Sequence, residues 1–144
     1  MKDVVTIVPI HKKKYLMQLR DENKQIAFPG KWGFFGGSIE TNEMPYEAAK
    51  RELLEEITYD FEELILLNEQ KIERLNVRIT TFYCQLLCDI NKLKLKEGMD
   101  LKLVDKNEII SQNIYSLKLN KFFPTVDDPY LLNTINEIEK ELKF

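Results

Sequence analysis

"GGSIETNEMPYEAAKRELLEEI", residues Gly36 to Ile57, crowds Glu43, Glu47, Glu52, Glu55 and Glu56 into and just before what its spacing reads as one helix. Pro45 suits a first helical turn and the residues behind it are good helix formers, so a helix is predicted over Pro45 to Ile57. At about 100° per residue, Glu52, Glu55 and Glu56 share one sector, while Tyr46, Ala49, Leu53, Leu54 and Ile57 share the predicted core face. Like charges three and four residues apart repel by about 0.2 to 0.5 kcal/mol per pair, and acids in a last turn oppose the helix dipole. A solvated helix face is the plain explanation of such a run. The sharper one is a hard divalent cation that takes the carboxylate oxygens and offsets their repulsion. Several carboxylates on one turn suit Mg2+ or Mn2+, and also Ca2+, whereas zinc or copper would call for more than the single His11 and the two thiols Cys84 and Cys88.

Outward from this helix, the chain reads as β-rich, helix, β-rich, helix. Val4–Ile10 and Lys14–Arg20 are predicted strands joined by a short HKK turn, followed by a loop through DENKQIAFPGK and the aromatic, glycine-rich WGFFGGSIE. FEELILL is a predicted extended segment, and Asn76–Cys88, rich in β-branched and aromatic residues, a long strand. LKLKEGMDLKLV is read as two extended pieces around a turn or bulge at Glu97-Gly98. Asp105 can cap a short helix through KNEIIS, with Glu108 in the capping-box position. A last helix opens at Pro129, with Leu131, Leu132, Ile135, Ile138 and Leu142 at helical spacing. The order implies an α/β domain, one mixed sheet with helices on both faces, in a single domain spanning all 144 residues.

Bulk composition points to no polymeric partner. A net charge of −3 argues against a general nucleic-acid or membrane-surface binder, and no apolar run approaches a membrane span. The first residues lack the pattern of a secretory leader, so a cytoplasmic protein is expected. Cys84 and Cys88, four apart in the predicted strand, are expected as two reduced, largely buried thiols.

Counting from Gly37, five residues lead to Glu43, seven more to Arg51-Glu52-Leu53, and one more to Glu55-Glu56, followed by Ile57, Thr58 and Tyr59. This resembles the signature of the Nudix hydrolases, with each fixed position matched except the final glycine, where Thr58 stands. The resemblance implies an α/β/α sandwich with a mixed sheet between helices, binding Mg2+ or Mn2+. It implies hydrolysis at phosphorus of a nucleoside diphosphate linked to another group. By position, Glu52, Glu55 and Glu56 would be metal ligands, Glu52 also a candidate base, and the Gly36 carbonyl a further ligand. Arg51 would orient the carboxylates, and Glu43 and Gly37 would shape the loop. Chemically, a metal polarises phosphoryl oxygens and acidifies bound water, and a nearby carboxylate takes the proton. Glu97, in KEG at Lys96 to Gly98, resembles the acid that the MutT branch adds from outside the box, and is otherwise an exposed loop glutamate.

Beyond the box, GKWGFFGG and FPTVDDP are similar to segments of the MutT-like and oxidised-purine triphosphatases, which release a nucleoside monophosphate and pyrophosphate. The similarity nominates Phe34, Phe35, Asp127 and Asp128 for the base, with core packing by Phe35 and helix capping by Asp128 as the alternatives. Arg20 and Arg78 resemble positions that hold phosphate and nucleoside, against a reading as strand-edge charge. Gly33 departs from the asparagine that the vertebrate enzyme places there, which weakens a preference for oxidised guanine. Hydrolases of nucleotide sugars, ADP-ribose or dinucleoside polyphosphates are alternatives, and a nucleotide sensor without turnover is one of another class. The partner implied is thus a small nucleotide, with no nucleic-acid polymer and no membrane, on a monomer or homodimer. Thr58 predicts a rearranged helix exit, and Met44, which offers no capping oxygen, leaves compensation to Asn42 or Glu43.

Overall fold

In a computed structural model, which describes residues 1–23, 25–26, 28–61 and 63–143, the first hairpin forms as expected. β1 (Lys2–His11) turns into β2 (Lys14–Leu19) through Lys12 and Lys13, at φ 49° and 62°, the paired left-handed residues that a two-residue hairpin turn requires. Lys24 and Ala27 of the expected loop, and Glu62 of the expected extended segment, lie outside the described residues.

The chain divides into two compact units, one built from Met1–Pro9 with Phe35–Lys96, the other from Ile10–Phe34 with the residues from Glu97 onward. In the first, β4 (Phe35–Ser38) pairs antiparallel with the start of β1, Val4 opposite Ser38 and Ile7 opposite Phe35. α1 (Pro45–Ile57) follows, then β5 (Ile65–Ile72) and β6 (Val77–Gln85), an antiparallel pair with a bulge between Leu66 and Asn68. β6 also neighbours β1, giving the order β4-β1-β6-β5. Val5, Ile7, Val8, Phe35, Ala48, Ala49, Leu53 and Ile57 are buried here.

In the second unit β2 pairs with β3 (Trp32–Gly33) through Gln18 and Leu19, and along its length with β7 (Asp100–Val104). α2 (Lys106–Ser111) leads into a separate hairpin of β8 (Asn113–Ser116) and β9 (Lys121–Pro124), and α3 (Tyr130–Leu142) closes the described chain. A parallel bridge from Trp32 to Thr125 makes the strand pairing mixed, and the Trp32 indole N–H donates to the Ile114 carbonyl at 3.1 Å. Tyr15, Leu16, Met17, Leu19, Val104, Ile135 and Ile138 are buried in this unit. Mixed strands with helices on their faces are the α/β/α architecture that the sequence implied.

Several boundaries move. β5 starts four residues beyond Phe61 and runs through NEQKI, and β6 stops at Gln85, so Cys88 lies past the strand rather than on a face shared with Cys84. Cys84 is buried and Cys88 half-buried, and both are free thiols. Of the two pieces expected around Gly98 only the second, β7, is a strand, because Gly98 at φ 93° turns the chain and the preceding segment bonds elsewhere. Sequence patterning assigns no element to β8 and β9.

Candidate active site

α1 begins where Glu47 accepts a hydrogen bond from the Met44 N–H at 3.2 Å, the return half of a capping box, while Met44 itself makes no side-chain cap bond and the acid in the first turn favours the positive helix end. It ends in Thr58, left-handed at φ 54°, whose N–H donates to the Leu54 carbonyl at 3.0 Å. The helix exit is therefore the standard left-handed cap and not the rearrangement that threonine suggested. Two further carbonyls of the last turn are satisfied from outside: Lys94 N–H donates to Ile57 at 3.1 Å and Lys96 N–H to Glu56 at 2.8 Å. These fixed carbonyls hold the exit in place, which is how a β-branched residue comes to occupy an uncomfortable conformation.

The core face differs in detail from the helical-wheel expectation. Ala48, Ala49, Leu53 and Ile57 are buried, but Tyr46 and Leu54 are exposed, and Glu56 is inside with only 2% exposure. A charged carboxylate so placed needs compensation. The Gly36 N–H supplies part of it, donating to Glu56 Oε2 at 3.3 Å.

Arg51 organises the remaining acids. Its Nε and Nη2 donate to the two Glu43 oxygens at 2.7 and 2.9 Å, a bidentate pair, and Nη2 also donates to the Ser38 carbonyl at 3.0 Å. Its Nη1 reaches Glu52 at 2.9 Å, Glu55 at 3.4 Å and Glu40 at 3.7 Å. Glu43 in turn accepts from the Glu40 N–H at 3.0 Å and so fastens the loop before the helix. Hydrogen bonds from Arg51 and from Glu40 hold the Glu43 carboxyl at about 2, far below its ordinary value, while the same pairing raises Arg51. Glu40 and the Ser38 carbonyl are members that the spacing did not nominate; a backbone acceptor leaves no trace in side-chain pattern.

The glycines create the seat for this cluster. A Cβ on Gly37 would fall within 3.0 Å of the Glu52 carboxylate carbon and both its oxygens, and one on Gly36 would collide with the Val5 carbonyl. One guanidinium thus faces four carboxylates, Glu40, Glu43, Glu52 and Glu55, and the site keeps a surplus of negative charge. Among the described residues no three His, Cys, Asp or Glu side chains stand as a ready metal cage. The donors nonetheless match a hard cation: all are oxygens, and Glu55, half-exposed and held only at 3.4 Å, can turn without disturbing the core.

The other nominated residues fall as follows. Phe35 is fully buried in β4 and Phe34, just before it, is half-buried. Arg78, on β6, pairs with Asp3 at 3.2 Å. In the second unit, Arg20 follows β2 with its backbone N–H bonded to the Lys31 carbonyl, and Glu97 is exposed before the Gly98 turn. Asp127 is exposed, whereas the Asp128 carboxylate accepts from the Tyr130 N–H at 2.8 Å, the capping alternative for that residue. Both border a cavity of about 180 Å³, walled also by Ile109, Val126, Leu131 and Leu132.

The chain's likeness to known proteins agrees with this geometry. A family model for the NUDIX domain matches residues 1–115. Among solved structures, the MutT protein from Methanosarcina mazei Go1 superimposes with a TM-score of 0.73 at 20% identity, over 99% of this chain and 96% of that one. The NUDIX domain of Shewanella oneidensis NrtR, complexed with ADP ribose, gives 0.71 at 17% identity, over 99% and 88%. A C. elegans Ap4A hydrolase gives 0.64 at 16% identity, over 99% and 98%. No curated protein matches the sequence. With the family model spanning most of the chain, and the box residues gathered on one helix and its glycine loop, this protein belongs to the Nudix pyrophosphohydrolases.

Proposed function

We propose that the protein hydrolyses a nucleoside triphosphate to the monophosphate and pyrophosphate, with Mg2+ or Mn2+ as cofactor. The observation that carries the catalytic part is the surplus of carboxylate over guanidinium charge against the Gly37 seat. Glu52, Glu55 and Glu56, with the Gly36 carbonyl, are the groups that would hold the ion. When bound, a divalent cation screens the phosphate charge and polarises phosphorus toward attack. Glu52 is the base in this reading: its carboxylate takes the proton of the attacking water, while Arg51 fixes its direction. Glu97 is proposed as a further ligand or base.

For the substrate, Asp127 carries the argument. An exposed carboxylate beside a largely apolar cavity suits a flat base that presents N–H donors on its edge. That cavity is smaller than the about 300 to 1,000 Å³ of complete small-molecule sites, so it offers room for a base and not for a whole nucleotide. Phe34, Arg20 and Arg78 are proposed as contacts to base and phosphate. The chain passes between the two units three times, which supports reading them as halves of one domain.

Pyrophosphate and phosphate release tests this with normal and oxidised nucleoside triphosphates, ADP-ribose, nucleotide sugars and dinucleoside polyphosphates, in Mg2+ or Mn2+. Metal-dependent pyrophosphate release from triphosphates is expected, with Glu52→Gln lowering kcat by about a hundredfold or more, the lower end of what a positioned base contributes. Turnover confined to ADP-ribose or sugars would remove the role of Asp127, and unchanged turnover in Glu52→Gln would remove that of Glu52.

A further inference from the structure

β5 forms the outer edge of the order β4-β1-β6-β5 and, among the described residues, pairs only with β6. An edge strand of eight residues offers a row of backbone donors and acceptors to another strand. The bulge after Leu66 leaves Asn68–Ile72 as the regular part, and its midpoint is Gln70. Glu69 and Lys71 point to the exposed face of this run, flanking Gln70, and no ion pair among the described residues takes up either. Lys71 lies directly opposite Arg78 of β6, and like charges in that relation are destabilising. Lys71 is therefore a cation facing a cation on its inner side, with its outer side open.

Two copies of such an edge can join only in certain registers. Directly opposed residues of an antiparallel sheet point to the same face, so a two-fold axis normal to the sheet must pass through a residue position and not between two. An axis at Glu69 sets that acid against itself, and one at Lys71 does the same for the lysine. An axis at Asn68 leaves both charges opposite apolar residues. Only the axis at Gln70 places Glu69 of each copy opposite the partner's Lys71, and it does so twice. We propose that β5 is a homodimer interface in which two chains pair antiparallel about Gln70. Exposed Ile65 and Leu66, at 38% and 59%, extend the same edge with apolar surface.

Sedimentation equilibrium of the full chain over a dilution series, with charge reversals in β5, tests this. The wild type is expected to dimerise. Glu69→Lys alone and Lys71→Glu alone each turn two attractive pairs into two repulsive ones, raising the dimer Kd by about tenfold or more. Mixing the two single variants is expected to restore dimers, as a lysine-only edge then meets a glutamate-only edge, and the double reversal E69K/K71E is expected to dimerise alone. Both sites are exposed, and unchanged thermal unfolding of the variants separates lost pairing from lost folding. A wild type that stays monomeric throughout the series, or single variants that dimerise as it does, would overturn the interface.

Discussion

Glu43 gives up its proton far more readily than an ordinary glutamate, because Arg51 donates two hydrogen bonds to it and the Glu40 N–H a third. Its folded value of about 2 lies below the ordinary 4.5, so the pairing contributes stability that is complete above pH 4.5 and lost as the pH falls toward 2. Glu43→Gln is expected to be less stable than the wild type at neutral pH, with the difference closing across that acid window. Urea unfolding of both proteins in metal-free buffer checks it, and a difference independent of pH would mean that the carboxylate charge contributes nothing. At this scale the sequence was legible where spacing encodes chemistry: Glu43, Arg51 and Glu52 are placed by intervals of eight and one residues, and they meet. Glu56 was not. A wheel drawn from residue types puts an acid outside, and only the tertiary fold, with an amide at Gly36 to receive it, brings that carboxylate in.

The end of α1 stores strain. A non-glycine residue in the left-handed region costs on the order of 1 to 2 kcal/mol, and Thr58 holds φ 54° there. Thr58→Gly is expected to raise stability by about 1 kcal/mol, part of the relief being returned as the greater freedom of an unfolded glycine. Chemical denaturation reads this directly, and a loss of stability would show that the threonine side chain makes a compensating contact. Elements with local stop and start signals were legible to the residue: Pro45 opened α1, and Asp105 with Glu108 framed α2 in a reciprocal box, at 2.8 and 3.1 Å. β8 and β9 carried no such signal. Each has four residues, too few for alternation to stand out, Pro124 ends the second strand, and Phe122 faces outward where patterning expects a polar residue.

Across the whole chain, the family model ends at residue 115, so β9, Asp127, Asp128 and α3 lie beyond it. The signature around α1 was therefore readable from a pattern shared with the family model, while Asp127 and Asp128 were nominated only through the weaker similarity of FPTVDDP, which lies outside it. Global order can be followed through its two thiols. Burial raises the Cys84 thiol to about 12, leaving almost no thiolate at mildly alkaline pH, whereas Cys88 is partly accessible past the end of β6. Alkylation of the native protein is expected to modify Cys88 alone, with Cys84 reacting only as denaturant unfolds the chain. Mass spectrometry of the labelled peptides decides it, and equal labelling in the native state would mean that β6 opens readily. The amides of Lys94 and Lys96, bonded to the last carbonyls of α1, give the chain a latch as well as a cap. Fraying of the helix end releases 94–96, and movement of 94–96 exposes the carbonyls beside Glu56, so the two segments open and close as one cooperative unit. The turn that carries Glu55 and Glu56 thereby acquires the lifetime of a tertiary contact instead of the brief lifetime of a free helix terminus.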